Sequence, residues 1–442
     1  MARNGFPGEG GVADGPEAVA ASTVRDAGLA PAGRLKVEWA EAHMPVLARV
    51  AGGIAQRGRM RGVTVGICLH LEAKTACLAL ALHRAGARVA ITGSNPLSTQ
   101  DDVAAALAAA GPRVYAWHGC SPQEYRSFLN AVLDSRPDVI LDDGADLLAL
   151  LHAERPAQAA RVRGATEETT TGLHRLRAMA AEGVLRFPVI AVNDARMKYL
   201  FDNRYGTGQS AWEGILRATN RLVAGATVLV CGYGWCGKGV ARRAQGLGAR
   251  VLVAEVDPVA ANEAVLDGCR VRPALEAVGE ADFIVTCTGN RGVLRREHLE
   301  RCRDGVVLAN AGHFNVEIDV EGLRALAESE RTVRPAVTEF RLRDGRRLHL
   351  LAEGRLVNLA AADGHPIEIM DISFAIQALC LERAAGRVAE TAGGGGGPER
   401  AGRVVPVPEE VDLEVARLRL EAAGAAIDAL TPEQGTYMRS WR

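Results

Sequence analysis

The chain has 442 residues, of which 48% are hydrophobic and 24% are charged, and its 52 Lys and Arg residues nearly balance 53 Asp and Glu residues. This length allows two or three domains, each with its own core, and the composition excludes a largely disordered chain. The net charge of -1 argues against a general nucleic-acid binder. No apolar run approaches the roughly 20 residues that cross a bilayer.

The N-terminal composition and the cysteines point to a reducing compartment. Residues 1–33 are rich in Gly, Ala and Pro without a period, which predicts a disordered tail. They lack the apolar segment of a secretory signal. The nine cysteines are an odd number and form no C-x-x-C pair. We therefore expect a cytoplasmic protein without a disulfide framework or a metal site.

Strands and helices alternate from about residue 34, where a helical pattern begins. The alternation predicts parallel β-α-β units and a first domain of the α/β class. The predicted strands lie at 63–69, 88–93, 114–117 and 138–143, and the predicted helices between them lie at 75–86, 101–111 and 122–134.

A second series begins near residue 210. It starts with a predicted helix over 210–225 that ends at Gly225, and continues with a strand, a glycine-rich turn, a helix and a strand over 226–258. Five glycines at 393–397 predict a linker. The amphipathic segment 409–427 and a capping-box pattern at Thr431 and Glu433 predict a C-terminal helical arm.

The glycine-rich turn has the G-x-G-x-x-G spacing at Gly232, Gly234 and Gly237, directly after an apolar strand and before a helix. In a dinucleotide site the glycines allow the tight turn, the approach of the pyrophosphate and close helix–strand packing. Glu255 ends the next strand, where a carboxylate accepts hydrogen bonds from ribose hydroxyls and repels a 2′-phosphate. The motif therefore predicts NAD, with Lys238 as a further cofactor contact.

Several motifs beside this turn resemble those of the S-adenosylhomocysteine hydrolase family. The resemblance covers about residues 35–440 in unbroken order. The matching stretches are SNPLSTQDD (94–102), YAWHG (115–119), LDDGADL (141–147), GATEETTTGLHRL (164–176), VNDARMKYLFDNRYG (192–206), GYGWCGKG (232–239), NAGHFNVEID (310–319) and LLAEGRLVNLAAADGHP (350–366).

The resemblance implies two doubly wound, Rossmann-like α/β domains that face a cleft, plus a small C-terminal helical arm. The implied substrate domain spans 34–195 and 367–392, and the implied NAD domain spans 205–364, with hinges near 196–206 and 360–367. Residues 393–442 would form the linker and the arm. The family also implies a homotetramer that acts on a small nucleosyl-homocysteine, without nucleic-acid or membrane partners.

The implied chemistry is hydrolysis by way of a redox cycle. Family members use bound NAD to oxidise the 3′-hydroxyl, eliminate homocysteine, add water and reduce the ketone again. Lys198 and Asp202 match the pair at the 3′-hydroxyl, and a desolvated lysine with a lowered pKa could take the hydroxyl proton. Asp143 matches the family's candidate for the C4′ proton step, and Glu168 matches a carboxylate that binds ribose hydroxyls. His70 matches the histidine proposed to protonate the leaving thiolate and activate water.

The remaining matches supply the rest of the expected site. His313 resembles a catalytic histidine near the homocysteine end. The expected substrate contacts are Glu72, Lys74, Asn193, His365, Met370 and Phe374. The expected cofactor contacts, besides those of the glycine-rich region, are Thr169, Thr170, Thr171, Asn203 and Asn358.

The base-binding motif departs from the family pattern His-x-Thr-x-Glu, because this chain has Glu72 and Lys74 after His70. A lysine has donors only and cannot accept a hydrogen bond from the 6-amino group of adenine. Lys74 and Glu72 would instead complement O6 and N1–H of hypoxanthine, which favours S-inosylhomocysteine, a preference also found in a similar archaeal branch. Alternatively the two side chains pair with each other and backbone groups bind adenine. The C-terminal Lys and Tyr that reach a neighbour's NAD in the family are also absent.

Two other functions compete with hydrolysis. A catalytically silent, NAD-binding regulator of this family would have lost site residues, yet all the matched residues are present. A 2-hydroxyacid dehydrogenase shares the glycine motif, but it lacks EETTTG and FDN and would exchange NADH with solvent.

Overall fold

The computed structural model describes residues 21–386 and 402–441, which contain two eight-stranded sheets. The first sheet consists of β1 (Thr23–Val24), β2 (Thr64–Cys68), β3 (Arg88–Thr92), β4 (Arg113–Ala116), β5 (Val139–Asp142), β6 (Gly164–Glu167), β7 (Val189–Ala191) and β16 (Val404–Pro406). The second consists of β8 (Thr227–Cys231), β9 (Arg250–Ala254), β10 (Arg270–Val271), β11 (Phe283–Thr286), β12 (Val307–Asn310), β13 (Ala327–Arg334), β14 (Val337–Leu342) and β15 (Arg347–Leu351).

Both sheets are doubly wound, as the sequence predicts. The strand orders are β1-β4-β3-β2-β5-β6-β7-β16 and β10-β9-β8-β11-β12-β15-β14-β13. All neighbours are parallel except β13 with β14 and β14 with β15. The strand order reverses between β2 and β5 and between β8 and β11. In such sheets ligands bind outside the carboxyl ends of the strands at this switch point.

Helices cover the sheets. Those of the first part are α1 (Ala30–Ala42), α2 (Pro45–Arg57), α3 (Ala73–Arg84), α4 (Asp101–Ala109), α5 (Pro122–Asp134), α6 (Asp146–Glu154), α7 (Pro156–Ala159), α8 (Thr170–Ala181) and α9 (Arg196–Lys198). Those of the second are α10 (Thr207–Thr219), α11 (Trp235–Gly246), α12 (Pro258–Leu266), α13 (Ala274–Ala277), α14 (Arg296–Leu299), α15 (Val320–Leu326) and α16 (Val357–Ala360). The last three are α17 (Ile367–Ala385), α18 (Glu409–Ala422) and α19 (Pro432–Arg439).

The central strands are apolar because helices cover both of their faces. Every residue of β2 and of β5 is buried, which is typical of parallel sheets and explains why these strands do not alternate between apolar and polar residues. The carboxyl ends of the strands are where polar side chains begin, at His70 after β2 and at Asp143 after β5.

A helical stretch links the two sheets. Residues 199–206 form a π-helical segment that runs without a break from α9 into α10. π-Helical turns are uncommon and often mark functional sites. Residues 196–219 therefore form one continuous helical stretch, and it carries Lys198 and Asp202.

The predicted disordered tail over 1–33 is wrong for its last part. β1 pairs in parallel with β4, and α1 begins at Ala30. Gly33 lies so close to α4 that a Cβ atom there would stand 1.8 Å from the Asp102 carbonyl oxygen. The small residues of this segment thus permit close helix packing. Residues 1–20 lie outside the described part of the chain.

Two predicted helix signals are also corrected. The helix predicted over 210–225 ends earlier, because Asn220 adopts a left-handed conformation with φ of 51°, which asparagine tolerates at a helix end. Gly225 lies in the turn before β8. In the C-terminal capping box, Thr431 is paired with Gln434 rather than with Glu433.

The C-terminal segment is more than the predicted linker and arm over 393–442. β16 extends the first sheet by pairing in parallel with β7, and α18 buries Val411 and Val415 in the core of that sheet. α19 buries none of its residues, as an arm would. The five predicted linker glycines lie within 387–401, which the structure does not describe.

Candidate active site

The carboxyl ends of the two sheets face each other across a cavity of about 320 Å³. Each wall comes from loops at a switch point, so the topology explains why residues far apart in sequence meet here. Among the predicted residues, those on the cavity wall are His70, Glu72, Lys74, Asp143, Glu168, Thr169, Thr170, Thr171, Lys198, Asp202, Asn203, Gly234, His313, Asn358, His365, Met370 and Phe374.

Lys198 lies at the centre of a buried polar cluster. Its Nζ atom donates to Asn203 Oδ1 at 2.8 Å and stands 3.3 Å from Asp202 Oδ1 and 3.5 Å from Glu168 Oε1. Lys198 and Asp202 are one helical turn apart on the linking stretch. Asp202 also accepts a hydrogen bond from Ser373 and lies 3.1 Å from His365 Nδ1. The cluster holds the ammonium group in one place.

The electrostatics of this cluster contradict the expected lowering of the Lys198 pKa. Burial alone would lower the pKa of the ammonium group, but Asp202, Glu168 and Asp143 outweigh burial and raise it above the ordinary value. Burial also raises the pKa of Glu168 to about 7, against the opposing effect of Lys198. The group that titrates near neutrality is therefore Glu168, while Lys198 holds its proton.

A second polar cluster lies at the other side of the cavity. His70 Nε2 stands 3.2 Å from Asp143 Oδ2, and His313 Nδ1 stands 3.6 Å from Asp143 Oδ1. Burial lowers the pKa of His70 to about 4, although Asp143 opposes the shift, so the ring is neutral near pH 7. Ser94 and Ser98 contact His70 Nδ1 and fix the ring.

These three residues are also the one group in the described part of the chain whose side chains could together bind a metal ion. One ligand atom each from His70, Asp143 and His313 lies within 4.8 Å of the others. The sequence predicts no metal site. The same contacts orient two imidazole rings about one carboxylate.

One face of α17 supports the cluster, and sequence reasoning missed half of it. Met370 and Phe374, two of the expected substrate contacts, line the cavity. Ser373 bonds Asp202, and Gln377 Nε2 donates to Glu168 Oε2 at 2.5 Å. These four residues are spaced three or four apart, so the helical period from Met370 was a signal that could have identified the other two.

The base-reading candidates Glu72 and Lys74 are paired with each other. Lys74 Nζ lies 2.7 Å from Glu72 Oε2 and donates to the Asp363 carbonyl oxygen at 2.6 Å. Glu72 also caps α3 by accepting from the backbone N–H groups of Lys74 and Thr75. An ammonium has three protons, so Lys74 retains one donor toward the cavity that both side chains line.

The glycine-rich turn forms the expected cradle at the N-terminus of α11. Gly232 has φ of 97°, and a Cβ atom on Gly237 would stand 2.0 Å from the Gly232 carbonyl oxygen. Nothing lies within 4 Å of the Cβ position of Gly234, and no side chain caps the helix. Free N–H groups at a helix N-terminus with open space before them suit a pyrophosphate.

Two buried polar atoms on the cavity wall also suit a polar ligand. Thr171 Oγ1 and Asn358 Oδ1 are buried and have no hydrogen-bond partner among the described residues. Such atoms are costly unless a ligand satisfies them. With Thr169 and Thr170 beside them and the cradle opposite, the residues present are compatible with NAD.

The predicted site residues that do not line the cavity include Asn193, Lys238 and Glu255. Asn193 accepts from Lys198 and from Asn203 Nδ2, so it orients the cluster and is not on the cavity wall, contrary to its predicted substrate contact. Asn203 lines the cavity, but its amide is used within the cluster. Lys238 pairs with Glu263 at 2.8 Å and lies over the Trp235 ring. Glu255 accepts from the backbone N–H of Tyr233 and supports the glycine turn.

The cradle can be tested by replacing Gly234 with alanine. Gly234 has extended backbone angles and an empty Cβ position, so we expect Gly234→Ala to fold with an unchanged melting temperature in the absence of cofactor. The methyl group would keep the pyrophosphate from the backbone and weaken NAD retention roughly tenfold or more. Bound NAD after gel filtration measures this. Gly246→Ala, at the far end of α11 with an equally open Cβ position, is the matched control. Equal NAD contents in the two variants would contradict the assignment.

None of the helices in the described ranges combines the length and apolarity needed to span a membrane.

Comparisons with known proteins identify the family. Residues 21–160 match the family model of S-adenosyl-L-homocysteine hydrolase, and residues 203–364 match the model of its NAD-binding domain. The chain is 57% identical to S-inosyl-L-homocysteine hydrolase of Methanopyrus kandleri, over 95% of this chain and 97% of that protein. It is 54% identical to adenosylhomocysteinase of Pyrococcus abyssi, over the same shares, and 53% identical to adenosylhomocysteinase of Aquifex aeolicus, over 95% and 98%. The chain therefore belongs to the S-adenosyl-L-homocysteine hydrolase family, and it is an enzyme that uses NAD.

Proposed function

We propose that this enzyme catalyses the reversible hydrolysis of S-adenosyl-L-homocysteine to adenosine and L-homocysteine. The observation that carries the proposal is the placement of Lys198, Asp202 and Glu168 in one buried cluster on a cavity whose opposite wall is the dinucleotide cradle. A ribose in this cavity would have hydroxyl-binding groups on one side and the nicotinamide on the other.

The cluster around Lys198 is suited to hold the 3′-hydroxyl. Bound NAD supplies a hydride acceptor and later a hydride donor. The charged Lys198 ammonium donates to the hydroxyl oxygen and stabilises negative charge that develops there. Glu168, whose pKa burial raises to about 7, is the neighbouring carboxylate that can share the proton. We therefore assign the base function to the Lys198–Glu168 pair rather than to a neutral lysine.

The cluster around Asp143 is suited to move protons at the carbon and sulfur end of the substrate. Asp143 is a buried carboxylate held between two imidazoles, and it is the proposed acceptor of the C4′ proton. His70 is neutral near pH 7 and can donate from one ring nitrogen while accepting at the other. It is the proposed partner of the departing thiolate and of the attacking water, with His313 beside it.

We propose that contacts across the cavity help to exclude water from these steps. His313 and Phe314 follow β12 of the second sheet, whereas Gly144 and Arg175 belong to the first. A Cβ atom on Gly144 would stand 2.4 Å from His313 Nε2, so only glycine lets the histidine approach. Arg175 lies 5.8 Å above the centre of the Phe314 ring. These contacts close the site, and closure protects a reactive ketone from solvent.

A second candidate substrate is S-inosyl-L-homocysteine. The observation that favours it is the remaining donor of Lys74 on the cavity wall, which matches O6 of hypoxanthine and cannot accept from the 6-amino group of adenine. Glu72 supports this candidate less strongly, because its carboxylate already caps α3 and pairs with Lys74. The name of the relative from Methanopyrus kandleri agrees with this candidate.

Thiol release from both substrates, measured side by side, tests the proposal. We expect release from S-adenosylhomocysteine, and a higher kcat/KM for the inosyl compound if Lys74 reads the base. A site that hydrogen-bonds a substrate group can reject the analogue lacking it by roughly 10⁴-fold. In that case Lys74→Met would bring the two rates together, whereas Lys36→Met, at an exposed ion pair, would not. No thiol from either compound would overturn the proposal.

We also propose that the enzyme works in the cytoplasm as a homotetramer. All nine cysteines are free thiols, which supports a reducing compartment. Exposed large apolar side chains support association, among them Trp39 on α1, Leu266 on α12 and Trp441 after α19.

A further inference from the structure

The start of the linking helical stretch is held by a residue from the C-terminal helix. The Asp412 carboxylate of α18 accepts the backbone N–H of Arg196 at 2.7 Å and that of Met197 at 2.8 Å. These are the first amides of the stretch that carries Lys198 and Asp202. The local N-cap residue, Ala195, provides no side-chain hydrogen bond.

The same C-terminal segment also holds the strand that precedes this stretch. β16 pairs with β7, with Val404 opposite Val189 and Pro406 opposite Ala191. Asn193 lies two residues after β7 and accepts a hydrogen bond from Lys198 Nζ. The segment 404–412 therefore clamps both sides of the turn that places the polar cluster.

The helix that carries Asp412 is packed into the core of the first sheet. Val411 and Val415 are fully buried on either side of Asp412 along α18. Arg383 of α17 pairs with Glu410 at 2.9 Å, and Arg49 of α2 pairs with Glu421 at 2.5 Å. A carboxylate on such a support fixes the helix start more firmly than water would.

We propose that Asp412 is a positioning residue for the reaction at the 3′-hydroxyl, an inference that rests on the function proposed above. It touches neither the cavity nor the ammonium group. It acts through the backbone, because losing the cap would leave two N–H groups without a partner and let the stretch shift. A misplacement of about 1 Å at reacting groups can cost on the order of 100-fold in rate.

Asp371 provides a matched control. It lies on α17 and accepts the first amides of α2, from Val46 at 3.1 Å and Leu47 at 2.7 Å. Asp371 and Asp412 have similar burial, with 2% and 9% of their surface exposed. The two carboxylates thus make the same kind of cap, but α2 carries no residue of the cavity wall.

The test compares Asp412→Asn with Asp371→Asn in the full-length holoenzyme. Asparagine has one acceptor oxygen and would turn an NH₂ donor toward an N–H donor. We expect both variants to lose melting temperature and to retain NAD. Asp412→Asn should lower kcat on the order of 100-fold with little change in KM. It should also slow the reduction of bound nicotinamide when nucleoside is added. Asp371→Asn should keep the wild-type kcat.

The outcomes separate this inference from the proposed function. Equal kcat values in the two variants, with an active wild type, overturn the role of Asp412 alone. A wild type that releases no thiol overturns the proposed function and with it this inference. If Asp412→Asn does not fold, Asp412→Glu retains the charge on a longer side chain, and it is expected to lower kcat without changing NAD content. An unchanged kcat in that variant would overturn the inference.

Discussion

Replacing Lys198 by methionine is expected to lower kcat for thiol release roughly 1,000-fold, within the range for loss of a proton-transfer group. Methionine fills similar space but leaves Asp202 and Glu168 buried without their cation. The pKa of Glu168 should then rise further, because Lys198 is the group that holds it down. The pH profile of the residual activity should shift to higher pH together with the pKa of Glu168.

Lys36→Met is the control for this variant. Lys36 is another of the four lysines in the chain, and it pairs with Asp102 at a half-exposed site. We expect it to keep the wild-type rate. NAD content should be normal in both variants, because Lys198 lies in the substrate cluster. A Lys198→Met enzyme within about tenfold of the wild type would contradict the assigned role. Arginine should not rescue the activity, because its planar guanidinium cannot reproduce a compact ammonium.

The second large effect is expected for Asp143→Asn. Asp143 contacts both His70 and His313. The amide of the variant would therefore remove the negative charge that orients the two rings. It would also remove the proposed acceptor of the C4′ proton. We expect kcat to fall roughly 1,000-fold. Reduction of bound nicotinamide by added nucleoside should survive, because the Lys198 cluster is intact.

That split between the two readouts is the test of the Asp143 assignment. The absorbance of reduced nicotinamide follows the first step, and thiol release follows the whole reaction. Asp134→Asn is a suitable control, since Asp134 pairs with Arg155 at 2.6 Å and neither residue lines the cavity. If Asp143→Asn abolished nicotinamide reduction and thiol release to the same degree, the division of labour between the two clusters would be wrong.

The sequence predicted what local patterns encode. The alternation of apolar strands with helices predicted parallel β-α-β units, and the spacing of Gly232, Gly234 and Gly237 predicted a glycine-rich turn before a helix. The doubly wound sheets and the site residues His70 and Asp143 were expected only from the family resemblance.

Contacts between residues far apart in sequence were not predicted, because no local sequence pattern indicates them. Asp412 meets Arg196 across 216 positions. β16 follows a glycine-rich segment and has three residues, too few to show a period. The pKa of Lys198 depends on carboxylates from three separate elements, so its direction required their positions.

We propose that this chain is a hydrolase whose redox cofactor is restored in every cycle. Purified holoenzyme is mixed with substrate, and free thiol and reduced nicotinamide are followed together in the same reaction. We predict many thiols released per enzyme, with reduced nicotinamide never exceeding the amount of bound cofactor. Consumption of one NAD for each thiol released would contradict this cycle. The absence of thiol release from either nucleosyl-homocysteine, while NAD stays bound, would contradict it as well.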